Sequence, residues 1–344
     1  MSFMVFDEED LELIWGTLPK LQLIFHPKYS ADGQFKFSDI ESIKHLKSLI
    51  LLLDRNLLSS LLKLCEKGFL TDELEMRTIS LIMAWAISNG ISVSAGLAVK
   101  ENANKEIDSN NAKLELSQFQ KIFDYYSSMT WMNLANGLID KIAICPPITT
   151  LFETDIQYHE DDDHFLMHIA TMLHIVYLRH QPNMSPKDKF IEYIKWSSEN
   201  LLICQYSNTY AVMLFTNQEN MRYPKHCESK DFEKVLSGCK NQAWDINYLS
   251  NWSTVYWEED KMDEIFLFAT ADRMLKTIFI NAHGDGDFFD LIKTVFSKNQ
   301  AKEVIDFYIS KLGQGRVKPD FGDNPKEYFY RLIDREKERI IHSH

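Results

Sequence analysis

The stretch SLILLLDRNLLSSLLKL, residues 48–64, constrains the fold of this chain more than any other: it is aliphatic on both sides of one polar break, Asp54, Arg55 and Asn56. A charge inside a buried element needs a partner or a path to water, so a single buried helix would hold this break at a cost. Two readings remain. Residues 49–53 form a buried strand, because strands of parallel sheets are covered on both faces and lose the alternating pattern. Or they continue a preceding helix, because Leu46, Leu49, Leu53, Leu57 and Leu64 share a helical face.

The flanking segments alternate in type. Ser38 and Glu41 have capping-box spacing, which predicts a helix running toward His45. Asp72 and Glu75 start a helix whose apolar side is Leu74, Ile79, Ile82 and Trp85, and Asn89-Gly90 ends it. ISVSAGLAVKE reads as a strand that bends at Gly96 and leads to Glu101. An aromatic-rich helix is expected over 117–141, stopped by Pro146 and Pro147. Residues 150–240 read as mainly helical: Phe165, Ile169, Leu173 and Val176 form one core stripe, and a second helix covers 186–202. NQAWDINYLSNWSTVYW predicts a helix with Asp245 in its first turn. Residues 265–269 are a strand candidate, and Thr270 to Asp272 turn the chain into another helix. The charged segment NPKEYFYRLIDREKERI predicts a surface helix.

Strands alternating with helices predict an α/β architecture with a mostly parallel sheet flanked by helices. The expected organisation is an N-terminal helical extension over 1–45 and a discontinuous core over 46–149 and 241–300. A helical insertion over 150–240 and a C-terminal helical region over 301–344 complete it.

With 50 acidic and 37 basic residues, the net charge of −13 excludes a surface coated for non-specific nucleic-acid binding, while leaving room for a local basic rim. The five cysteines are scattered without a CxxC pair, which fits free thiols in a reducing compartment. The N-terminus lacks the basic and apolar regions of a signal peptide, and charges break every apolar run before the ~20 residues of a membrane span. A cytoplasmic protein with no membrane partner is the expectation.

In parallel sheets chemistry gathers at the carboxyl ends of strands. Asp54 follows LILLL, Glu101 follows SAGLAV, Asp272 follows IFLFATA, and Asp245 opens a helix. Four acids brought together raise one another's pKa unless cations neutralise them, and Mg²⁺ or Mn²⁺ held by oxygen ligands is the natural counter-charge.

These segments resemble the PIN-domain nucleases, within the wider PIN and flap-endonuclease-like group. LLLDRNLL is similar to the family's first strand, acid and helix, placing Asp54 as the acid and Asn56 at a polar position. GLAVKE resembles the second motif at Glu101, with Glu106 and Asp108 as rival acids, and AWDINYLSNW resembles the third at Asp245. FLFATADRML, the closest match, resembles the strand, Thr-x-Asp and helix of the fourth at Asp272. The likeness covers about 40–145 and 240–300, and the 102–244 separation requires a large helical insertion.

The resemblance implies phosphodiester hydrolysis, usually of RNA. Asp54 and Asp272 would be direct ligands of Mg²⁺ or Mn²⁺, and Glu101 and Asp245 would hold a second ion or its waters. Thr270 would orient a ligand and, with Arg55, Asn56, Lys100 and Arg273, would meet the substrate. The insertion would select the substrate or bind a regulatory protein partner. The alternative from another class is a non-catalytic scaffold protein with a degenerate core.

Other signals have bland readings beside the functional ones. His164 and His168, with His159 and Asp161 to Asp163 nearby, could line a metal-binding helix, but HxxxH without the Glu of HExxH is weak. His226, Cys227 and Cys239 match no zinc spacing. Asp285 and Asp287 in HGDGD more often make a turn and a cap. Trp244, Tyr248, Trp252, Tyr256 and Trp257 could stack on bases, yet at helical spacing they read as core.

Overall fold

The computed structural model describes residues 6–106, 109–148, 151, 160–284, 286–313 and 315–343, the side chains of Phe37 and Glu106 excepted. Asp108, His159 and Asp285 lie outside the described residues, and so does the side chain of Glu106. Two compact units are present, one of residues 1–160 and 254–272, the other of 161–253 and 273–344.

The elements of the first unit, in chain order, are α1 (Glu8–Thr17), β1 (Ile24–Phe25), α2 (Phe37–Lys44), β2 (Ser48–Leu53), α3 (Arg55–Lys67), α4 (Glu73–Ser88) and β3 (Ser92–Ser94). They continue with α5 (Gly96–Glu106), α6 (Ser109–Tyr125), α7 (Ser128–Ala135) and, after the second unit, β4 (Glu264–Ala269). Its sheet has the order β1-β4-β2-β3. β2 pairs in parallel with β3 and with β4, in a register that sets Leu53 beside Ala269, and β1 is an antiparallel edge on β4. The architecture is mixed α/β with a mostly parallel sheet flanked by helices.

The ambiguity at residues 49–53 resolves as a strand. Leu49, Leu51 and Leu53 are buried, with Ile50 and Leu52 half-buried on the other face. Leu46, which the helical alternative needs on its apolar face, is 83% exposed. The polar break is the junction between elements. Asp54 is the N-cap of α3 and accepts from the Leu57 amide at 2.8 Å. Leu57, Leu58, Leu61 and Leu64 then repeat along one buried face of α3, each burial contributing about 1.5–3 kcal/mol. Gly68 ends the helix at φ +78°, where a Cβ would stand 2.6 Å from the Ile142 carbonyl oxygen, so only glycine lets the chain pass there.

Several expectations are corrected. α2 has Lys36 as its N-cap with no side-chain capping bond, and Ser38 bonds Asp39 instead. The segment after Gly90 is a strand of only three residues. Gly96 opens α5, so Glu101 stands inside a helix and not at a strand end. The helix expected over 117–141 is two helices, because Ser127 caps α7 through the Thr130 amide. Asp72 does cap α4, accepting from Glu75 at 3.0 Å.

The second unit is helical: α8 (Asp163–Arg179), α9 (Pro186–Asn200), α10 (Gln205–Phe215), α11 (Phe232–Tyr256, its last turn falling in the first unit), α12 (Arg273–His283), α13 (Phe288–Val295), α14 (Lys298–Leu312) and α15 (Pro325–Ser343). Every residue from Phe165 to Val176 on α8 is buried, the polar His168, Thr171 and His174 included, so the helix is covered all round and forms the centre of the unit. α15 is the expected charged surface helix: it packs on α8 through one stripe, Phe329, Leu332, Glu336 and Ile340, and leaves Arg331, Asp334, Arg335 and Glu338 exposed. Asp245 sits in the middle of α11 and not in its first turn. Among the described residues no helix is long and apolar enough to cross a membrane.

Candidate metal centre

The parallel strands β2 and β4 end together, and the residues that follow them interlock. The Asp54 amide donates to the Ala269 carbonyl at 3.0 Å, and the Thr270 amide donates to Leu23 at 2.9 Å. The Thr270 hydroxyl donates to Asp54 Oδ2 and accepts the Asp272 amide at 3.0 Å. Asp54 therefore has one oxygen on the N-terminus of α3 and the other on Thr270, and it is only 2% exposed. The spacing Thr270-x-Asp272 is what lets one hydroxyl serve both acids.

Burial pushes the Asp54 carboxyl up to about 6; the Leu57 and Thr270 hydrogen bonds act the other way, and the charges of Asp272 and Glu101 push it up further. Two of the other predicted acids, Asp272 and Glu101, thus act on Asp54. Glu101 is buried and its carboxylate is paired with Lys105, one helical turn on. Asp272 is half-buried. As the side chains stand, no group of three or more His, Cys, Asp or Glu among the described residues could hold one metal ion. Their carboxylate oxygens are nevertheless the ligand type that hard divalent cations take.

The fourth acid, Asp245, belongs to the second unit. It accepts from Gln242 Nε2 at 2.8 Å and lies 3.9 Å from the Arg222 guanidinium. Of the residues predicted to meet substrate, Asn56 and Arg273 are exposed and Lys100 is half-buried. Arg55 is already committed. Its guanidinium makes a two-pronged bond to Glu115 at 2.7 and 2.8 Å, and Asn102 donates to the same carboxylate at 3.2 Å. This fork ties α3 to α6 beside the acids, and sequence reading missed it because Glu115 carries no local signal.

The rival signals resolve as structure. His168 is fully buried, burial holds it down to about 3, and its Nδ1 faces the Ser207 hydroxyl at 3.4 Å. Asp162 caps α8 and Asp287 caps α13. Trp244, Tyr248 and Trp252 are core, whereas Trp257 is 73% exposed. Burial raises the thiols of Cys227 and Cys239, which keeps them protonated. Two buried pairs went unforeseen: His26 with Glu259 at 3.1 Å in the first unit, and His174 with Glu336 at 2.9 Å in the second.

Comparison with protein-family models, with curated proteins and with solved structures finds no match to this chain.

Proposed function

We propose that this chain is a PIN-like, metal-dependent nuclease that hydrolyses phosphodiester bonds, RNA in preference to DNA. The reading rests above all on Asp54. It is a buried carboxyl at the end of the central strand, raised to about 6 by burial and by two neighbouring acids, Asp272 and Glu101. A carboxylate perturbed by burial and by specific charged neighbours is a functional-site candidate. Asp54, Glu101 and Asp272 would hold Mg²⁺ or Mn²⁺, and Thr270 fixes the rotamer of Asp54 through its second oxygen.

A bound divalent ion supplies polarisation of the phosphoryl oxygen and a water of lowered pKa. Asp54 must be ionised to contribute, so activity falls as pH drops through about 6. Asn56, Lys100 and Arg273 meet the RNA backbone in this reading, while Arg55 acts by holding α3 against α6. The preference for RNA rests on the family resemblance, and a cytoplasmic location on the five free, scattered cysteines. The helical unit selects the substrate or receives a regulatory protein.

A second reading, a non-catalytic interaction module, is favoured by the internal partners already present, Lys105 on Glu101 and Glu115 on Arg55. Incubation of labelled single-stranded RNA and DNA with Mn²⁺ separates the two. The nuclease reading expects cleavage that Asp54→Asn and Asp272→Asn each reduce about 100-fold or more, beyond the usual effect of losing a supporting partner. His164→Gln should leave cleavage intact, and Asp245→Asn tests the third motif. Cleavage that survives both aspartate changes, or none by wild type with either nucleic acid, rejects the nuclease.

A further inference from the structure

An open pocket of about 360 Å³ in the helical unit lies among Arg179, Lys189, Tyr223, Asn217 and Glu228, with Met184 and Phe215 on its apolar side. We propose that this pocket binds a phosphomonoester dianion. The local charge is opposite to that of the whole chain: two cations face one carboxylate in a protein of net charge −13.

Arg179, at the C-terminal end of α8, lies over the Tyr223 ring at 4.2 Å and pairs with Glu228, which also stands 3.5 Å from His180. Lys189 donates to the Arg179 carbonyl oxygen at 3.2 Å, and among the described residues no carboxylate pairs with it. Burial and the Arg179 charge lower the Lys189 pKa. An oxyanion between the two side chains removes that repulsion, and each charge-assisted hydrogen bond adds to affinity. Pro186, the first residue of α9, also borders the pocket and brings the positive end of a 15-residue helix to it.

The surrounding loop is built around residues in the left-handed region, Asn217 at φ 52°, Asn220 at φ 64° and His226 at φ 60°. Non-glycine residues persist in this conformation where the fold over-determines it. Here they shape the chain that delivers Tyr223 and Glu228. Glu228 is 61% exposed at the rim, so it opposes an incoming dianion without being needed for packing.

Calorimetric titration of the full chain tests the proposal. It uses EDTA, so that divalent ions at the acidic edge play no part, and chloride at matched ionic strength. The probes are inorganic phosphate, ribose 5-phosphate and adenosine monophosphate. Saturable binding of at least one is expected, weakened about 10-fold or more by Lys189→Gln, as loss of a charged hydrogen bond implies. Glu228→Gln should tighten it by about 5-fold, the loss of one exposed repulsive charge. Equal affinity for phosphate and nucleotide would assign a free-anion site; tighter nucleotide binding would assign the base to the side of Met184 and Phe215. No saturable binding of any probe overturns the proposal, as does affinity unchanged in both variants. Neither result bears on RNA cleavage.

Discussion

Asp54 works against the stability of the neutral-pH fold. Its folded pKa of about 6 lies above the ordinary carboxyl value of 3.8, so the folded protein binds this proton more tightly than the unfolded chain. The resulting contribution is fully present below about pH 4 and lost as pH rises through 6. At about 1.4 kcal/mol for each tenfold change in proton affinity, it amounts to about 3 kcal/mol. Asn keeps an oxygen for the Leu57 amide but carries no charge. Asp54→Asn is therefore expected to raise stability by about 1–3 kcal/mol at pH 8 and by little at pH 4. Denaturant melts at the two pH values check this; equal effects at both would remove the electrostatic explanation. Asp54 and Asp272 were legible because each ends an apolar run and begins a helix. The pairing of Arg55 was not legible, because its partner Glu115 is 60 residues away along the chain.

Strands and helices were legible to different extents for physical reasons. β2 is covered on both faces, so its period was lost, and only the cap at Asp54 separates it from α3. β1 has two residues, too few for any pattern, yet it closes the edge of β4. α15 was legible as a charged surface helix, but not the buried network on its inner stripe. Its inner side carries Glu336, which is 0% exposed and accepts from Trp196 Nε1 at 2.9 Å and His174 Nδ1 at 2.9 Å, with Arg339 at 3.2 Å. Burial alone would raise Glu336, but these partners bring its pKa below the ordinary value, while burial keeps His174 down. Glu336→Ala leaves an indole N–H and an imidazole without their acceptor. It should cost about 3–5 kcal/mol, the range for breaking a buried pair. Glu336→Gln should recover part of this in the same denaturation measurement, and an effect below about 1 kcal/mol for Ala would show the network to be incidental.

For the molecule as a whole, acidity and the proposed chemistry are compatible only if the acids recruit cations. A chain of net charge −13 repels RNA at long range, so in the proposed nuclease divalent ions at the sheet edge would serve attraction as well as hydrolysis. The α/β class and the mainly helical character of 150–240, seen in its described residues, could be read from pattern. The nearness of Asp54 and Asp272 could be anticipated from their shared place after parallel strands, whereas Glu101 stands inside α5 and not at the strand end expected of it; the bonds that hold the three, from Thr270, Leu57 and Lys105, emerge from the fold. The nuclease reading stands or falls with a divalent-cation site at these acids, and calorimetric titration with Mn²⁺ at pH 7.5 probes that site without any nucleic acid. Saturable binding is expected in the wild-type protein, weakened about 10-fold or more by Asp54→Asn and by Asp272→Asn, and lost at pH 5 where Asp54 is protonated. Mn²⁺ binding absent from the wild type, or equal in all three proteins, would be incompatible with such a site.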